Sequence, residues 1–213
     1  MSRARVLLAD DHKIITEGLR VLLEPEFELV GTVEDGRELL ARAGELSPDV
    51  IVVDISMPSL NGIDAVRQLK EAGSEAKVVF LTMHDDVMYA NRAFEAGASG
   101  FVLKHSVPSE LVTAIGEVLE GKTYISASIA GDLMEFYRSG KHKKQSPLSE
   151  LSSRQREVLQ LLAEGKSAKE VGKILHISVR TVEFHKYGIM KELGIETSAE
   201  LTQFAIRHGI ISV

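Results

Sequence analysis

The chain has 213 residues, 44% of them hydrophobic, with 5% aromatic residues, no Trp and no Cys. That length allows one large or two small domains, and the missing cysteines exclude disulfides, thiolate metal sites and thiol nucleophiles. The formal charge of −6 is uneven: residues 1–125 hold 12 Lys/Arg against 21 Asp/Glu, a net −9, and residues 126–213 hold 13 against 10, a net +3, which points to different partners for the two parts.

In chain order, short apolar runs at 5–9, 29–33, 50–53, 77–81 and 100–103 alternate with amphipathic stretches near 13–24, 36–45, 62–72, 86–96 and 108–120. In the last of these, Leu111, Val112, Ile115, Val118 and Leu119 share one helical face. Five strands alternating with five helices predict βαβ units, and so a five-stranded parallel, doubly wound sheet over residues 1–121. Residues 122–147 are polar, basic and punctuated by Gly and Pro, and read as a linker with room for one short helix around 127–137.

From 148 to 213 only helical patterns remain. Capping boxes are expected at Ser152 with Gln155, Ser167 with Glu170, and Thr197 with Glu200. Gly165 and Gly194 follow apolar faces as C-terminal stops. Four helices result, near 152–164, 167–174, 178–193 and 197–208, with the second and third joined by the tight turn of a helix-turn-helix. In the third, Val179, Val182, Ile189, Met190 and Leu193 are expected to be buried, and Arg180, Thr181, Glu183, Phe184, Lys186 and Tyr187 to face outward.

The polar groups at strand ends carry the chemistry. Asp10 and Asp11 follow the first strand, Asp54 ends the third, Thr82 the fourth and Lys104 the fifth. Singly, each reads as a cap or a solvated loop residue. Five of them at the carboxyl edge of one open sheet converge where such folds place their sites. Three carboxylates together make a small cation site and leave one nucleophilic oxygen. His12 and His105, beside this set, read as solvent-facing loop residues. No run approaches the roughly 20 apolar residues of a membrane helix, and the N-terminal apolar run is short for a signal peptide. A cytoplasmic protein is expected.

These residues carry a resemblance. Asp10-Asp11, Asp54 followed by Met57-Pro58 and Gly62, Thr82, Phe101 and Lys104 resemble the receiver domain of two-component response regulators, and residues 81–86 (LTMHDD) resemble its NarL/FixJ subfamily. The resemblance implies Mg²⁺ held by Asp11 and Asp54, with the Ser56 carbonyl as a third ligand and Asp10 acting through water. It also implies phosphoryl transfer from a sensor histidine kinase to Asp54, with Lys104 neutralising charge and Thr82 and Phe101 relaying the change.

Residues 151–159 (LSSRQREVL), 165–171 (GKSAKEV), 178–185 (SVRTVEFH) and 191–195 (KELGI) resemble the LuxR-type DNA-binding domain. That implies a transcription regulator, not an enzyme, which binds double-stranded DNA as a homodimer when phosphorylated or DNA-bound. Lys169, Lys173, Arg180 and Lys186 are the phosphate candidates; Thr181 also faces outward on the recognition helix, and Glu183, Phe184 and Tyr187 contribute to sequence preference. Other readings are an Asp-based phosphatase, weakened by Ser56 where a second Asp is commonly found, a ligand-sensing LuxR-type regulator, and a receiver acting by protein contacts alone.

Overall fold

A computed structural model describes residues 3–140 and 147–211. The described residues fall into two units, 3–57 with 61–140 and 147–211 with 58–60, and the segment 141–146 lies outside the described residues together with that part of the expected linker.

The first unit follows the alternation read from the sequence: β1 (Arg5–Ala9), α1 (Lys13–Leu23), β2 (Glu28–Val33), α2 (Gly36–Leu46), β3 (Val50–Asp54), α3 (Gly62–Glu71), β4 (Lys77–Thr82), α4 (Val87–Glu95), β5 (Gly100–Leu103) and α5 (Val107–Leu119). All strand pairs are parallel, in the order β2-β1-β3-β4-β5-β6, where β6 is Tyr124–Ile125. The central strands read as unbroken apolar runs because helices cover both faces; every residue of β3 is buried. Side chains from β1, β3, β4 and β5 pack with Leu19, Leu23, Leu111, Ile115 and Val118 into one core. Short polar caps set the entry of several helices: Asp35 accepts from the Arg37 and Glu38 amides at 2.8 and 2.9 Å, and Asp86 from the Met88 amide at 2.8 Å.

The short helix expected around 127–137 is present as α6 (Ala127–Arg138), and one feature differs from the expectation of five strands: residues 124–125 form a sixth, edge strand. Its two-residue length left no periodic signal. The strand is held by Tyr124 N–H to the Ser99 carbonyl at 3.2 Å and Ser126 N–H to the Phe101 carbonyl at 2.9 Å. The Ser126 hydroxyl, fully buried, accepts from the Leu103 amide at 3.2 Å and donates to Glu110. Helix α6 buries Ile129, Leu133 and Phe136 and packs against α4.

The second unit holds α7 (Ser153–Ala163), α8 (Ala168–Leu175), α9 (Val179–Leu193) and α10 (Ser198–Arg207). All three capping boxes are present. Gly165 and Gly194 take left-handed conformations, with φ of 82° and 65°. The turn between α8 and α9 depends on Gly172, where a Cβ would stand 2.8 Å from the Ile177 carbonyl oxygen. Val182 and Ile189 of α9 enter a core with Val158, Leu161, Val171, Leu175 and Leu201. Met190 and Leu193 pack against that core only in part, and Val179 is 47% exposed instead of buried. Val179 is the first residue after the Ser178 cap, at the very end of the helix. Among the described residues no helix is long and apolar enough to cross a membrane.

Candidate functional site

The order β2-β1-β3 makes β1 the point where the sheet's winding reverses, and the open α/β rule places ligands at the strand ends there. Asp10 and Asp11 leave β1 and Asp54 closes β3, so the three carboxylates meet at one edge. Gly62 allows this arrangement. A Cβ on it would lie 2.0 Å from the Asp54 carbonyl oxygen, so only glycine lets the start of α3 close over the strand end.

Lys104 ties the cluster together. Its Nζ lies 2.7 Å from Asp10 Oδ2 and 2.7 Å from Asp54 Oδ2, and all three side chains are at most 5% exposed. Burial pushes the Asp54 carboxyl above the ordinary carboxylate value, and the ammonium of Lys104 only partly offsets this. Burial pulls Lys104 downward, but the carboxylates of Asp54 and Asp10 outweigh it and hold the amine above its usual value. Three carboxylates therefore face one ammonium, a deficit of two positive charges.

Ligand atoms from Asp10, Asp11, His12 and Asp54 lie within 4.8 Å of one another. Asp10 Oδ2 and Asp11 Oδ1 are shut off from solvent without a hydrogen bond of good geometry, although each has a nitrogen at ion-pair distance. Oxygen-rich, anionic and under-satisfied, this group fits a hard divalent cation. His12 is solvent-facing, as expected, with its side chain 59% exposed, and it also meets the acidic pair: its Nδ1 stands 2.8 Å from Asp11 Oδ1 and its amide donates to Asp10 Oδ1 at 2.9 Å.

The switch candidates lie deeper. Thr82 is fully buried at the end of β4, and its Oγ1 accepts the His84 amide at 3.1 Å. Phe101 is also fully buried, paired across the ladder with Phe80 on β4 and Ile125 on β6. Ser56 follows β3, with its amide 3.4 Å from Asp54 Oδ1. Its hydroxyl is 3.0 Å from His84 Nε2, and the His84 ring stacks on Tyr89 of α4 at 4.2 Å. Burial lowers the pKa of His84, against the pull of Asp54. Sequence reasoning passed over His84 and Tyr89. The signal available was a ring-bearing residue two positions past Thr82, followed by an aromatic one turn into the next helix.

In the second unit, Lys169 and Lys173 are exposed on α8, one helical turn apart. On α9, Arg180, Phe184 and Tyr187 are exposed, whereas Thr181, Glu183 and Lys186 are half-buried. Glu183 and Lys186 line a cleft of about 230 Å³ with Lys166, Ser167 and Ser198. The outward face expected from spacing is thus two faces, one open and one recessed.

A doubly wound sheet with an acidic strand-edge pocket, followed by a helix-turn-helix unit, has the two-part plan of a regulator: a pocket-bearing module and a helical module. Residues 6–116 match the response regulator receiver domain, and residues 149–205 match the bacterial regulatory proteins of the luxR family. The chain belongs to the response regulators of the NarL/FixJ type. It is 36% identical to the transcriptional regulatory protein MctR of Rhizobium johnstonii, over 99% of this chain and 96% of that protein. It is 32% identical to the transcriptional regulatory protein DegU of Brevibacillus brevis, over 100% and 97%. Among solved structures, the response regulator RcsB from Salmonella enterica serovar Typhimurium, bound to a promoter in the presence of a phosphomimetic, is 29% identical. It covers 95% of this chain and 98% of its own, with a TM-score of 0.61. The relatives are transcriptional regulators, and this chain is a regulator and not an enzyme.

Proposed function

We propose that Asp54 takes a phosphoryl group from a sensor histidine kinase in the cytoplasm and that the change controls dimerisation and binding to double-stranded DNA. The observation that carries this reading is Lys104 Nζ, held at 2.7 Å from both Asp54 and Asp10 inside a dry carboxylate cluster. In the transfer, the phosphorus–nitrogen bond of a phosphohistidine breaks and a bond from phosphorus to Asp54 Oδ forms. The electron pair returns to the imidazole. Lys104 neutralises charge on the transferring oxygens. Mg²⁺ fits the two-charge deficit of the cluster, with Asp11, Asp54 and the Ser56 carbonyl as ligands and Asp10 acting through a water; bound there, it would supply further charge neutralisation.

Thr82 is the first relay. Its hydroxyl accepts from the His84 amide, and its own proton is available for a phosphoryl oxygen on Asp54. Phe101 is the second. Because Phe101 is already buried, its part is to register a shift of Thr82 and pass it across the ladder to Ile125, without swinging in from solvent. The proposed division is a phosphoacceptor domain over 1–121, a connection over 122–147 that includes β6 and α6, and a DNA-binding domain over 148–213. Lys169, Lys173, Arg180 and Lys186 serve phosphates, and Thr181, Glu183, Phe184 and Tyr187 serve sequence preference.

A DNA-binding assay with and without acetyl phosphate and Mg²⁺, on wild type and Asp54→Ala, tests the reading. Wild type is expected to gain affinity on phosphorylation and Asp54→Ala to gain none. A wild type that takes up no phosphoryl group sinks it.

A further inference from the structure

The open face of α9 has an unusual chemistry for a DNA-reading helix. At about 100° per residue, Arg180, Phe184, Tyr187 and Lys191 fall on one stripe. All four are exposed, with Phe184 at 74% and Tyr187 at 64%. Apart from its histidines, of which His185 meets Phe184 edge-on at 5.9 Å, the DNA-binding unit has one other aromatic side chain, Phe204, half-buried against His208. The centre of the stripe is therefore apolar, with a cation at either end. Of the two acidic side chains of α9, Glu183 is recessed in the cleft with Lys166 and Lys186, and Glu192, beside Lys191, is exposed but lies about 100° round the helix from the centre of the stripe.

An apolar ring left in water on a surface that is otherwise polar marks a contact site. Lys169 and Lys173 are exposed on α8 and Arg180 and Lys191 on α9, and these open cations of the helix-turn-helix favour a polyanion over a neutral protein partner. In the major groove of a duplex, one base carries an apolar edge group: thymine, through its C5-methyl.

We infer that Phe184 reads the C5-methyl group of a thymine in each half-site, so that the chain selects A·T pairs at that position by an apolar contact. This rests on the proposed DNA-binding function. Arg180 and Lys191 fix the ends of the helix on phosphates and carry no base information there. Glu183, being recessed, adds less to base choice than its place in the sequence suggests.

The test uses the full chain, phosphorylated with acetyl phosphate and Mg²⁺. A duplex is first selected from a randomised library, then rebuilt with uracil replacing each thymine in turn, which removes only the methyl. Wild type is expected to bind about fourfold more weakly at one thymine per half-site, the worth of one methyl group withdrawn from water. Phe184→Ala should bind the thymine and uracil versions within about twofold of each other, and Phe184→Leu should keep part of the discrimination. Lys186→Ala should lose affinity equally on both. Phe184 makes no core contact, so thermal midpoints of the variants should match wild type. Sequence-selective wild type that ignores uracil everywhere overturns this inference alone. So does a Phe184→Ala variant that still discriminates, or one that loses dimerisation in place of discrimination. A wild type that selects no DNA overturns the inference together with the function beneath it.

Discussion

The acidic pocket and the open face of α9 solve opposite problems. In the pocket the charges are dry and face one another, with Asp10, Asp54 and Lys104 each at most 5% exposed and within 2.7 Å contacts. On α9 the working groups stand in water, and two of them, Phe184 and Tyr187, are exposed rings with no charge. A dry charged cluster holds its geometry before any ligand arrives, because every displacement costs electrostatic energy. An exposed stripe is held only by its helix, and its chemistry is completed by the partner. The pocket suits a small ligand whose shape is fixed. The stripe suits a surface that must be sampled at many positions.

The sharpest way to break this contrast is at Lys104. Replacing it with Met leaves two buried carboxylates without their ammonium, and breaking a buried pair of this kind costs about 3–5 kcal/mol. Urea titration of Lys104→Met at neutral pH should show a loss of that size. Without the ammonium, burial raises the pKa of Asp54 further, so the folded state binds its proton more readily than the unfolded chain. The deficit must then shrink as pH falls toward the ordinary carboxylate value. A deficit of less than about 1 kcal/mol, or one that does not vary with pH, would mean the pocket is wet.

The edge of the sheet offers the next test. Ser126 is fully buried and bonds to both the Leu103 amide and Glu110. Ser126→Ala leaves these groups unpaired and should cost about 1–3 kcal/mol, and amide exchange in α6 should speed up more than in α3. Equal effects on the two helices would show that this serine does not anchor β6 and α6.

How far these features could be read in the sequence follows the same contrast. Asp10, Asp11, Asp54, Thr82 and Lys104 were legible because short unbroken apolar runs fix where strands end, and strand ends fix which polar groups converge. Gly62 was legible only as a matching residue; its reason, the 2.0 Å clearance to the Asp54 carbonyl, is a property of packing. The sixth strand was not legible, since two residues carry no period and its bonds come from the neighbouring β5. On α9, helical spacing named the outward residues, but it could not separate open Phe184 from recessed Glu183. That distinction depends on where the ends of α8 and α10 lie. His84 was missed because its role arises from two contacts, with Ser56 and Tyr89, 28 residues away and five residues away in the chain.

Asp54 gives a pH and metal test of the pocket's charge deficit. Its folded pKa is raised, by burial first. A raised carboxyl contributes stability below the unfolded value and loses it as pH rises through the folded value, so ionised Asp54 is a liability at neutral pH. Asp54→Asn should therefore unfold at a higher temperature than wild type near pH 7, with the gap closing as pH is lowered toward 4. Mg²⁺ at ten times its dissociation constant should stabilise wild type by about 1.4 kcal/mol and Asp54→Asn by far less. Equal stabilisation of both would place the cation elsewhere.

The smallest expected effect comes from the recessed face of α9 and decides whether recessed means silent. Lys186 is half-buried and shares its cleft with Glu183, so two outcomes are physically available. If the ammonium reaches past the cleft to a phosphate, it displaces about one condensed counterion, and Lys186→Ala should shallow the plot of log affinity against log salt by about one unit. Between 50 and 200 mM salt that is about a fourfold smaller loss of affinity, the same for every DNA sequence tested. If Glu183 already neutralises Lys186, the slope stays as in wild type, while Glu183→Gln steepens it by freeing the lysine. The first outcome is expected, because Lys186 has a four-carbon stem that can carry its charge out of a shallow recess, and a glutamate does not. An unchanged slope for Lys186→Ala removes it from the phosphate contacts and leaves Arg180, Lys191 and the two lysines of α8 to hold the duplex.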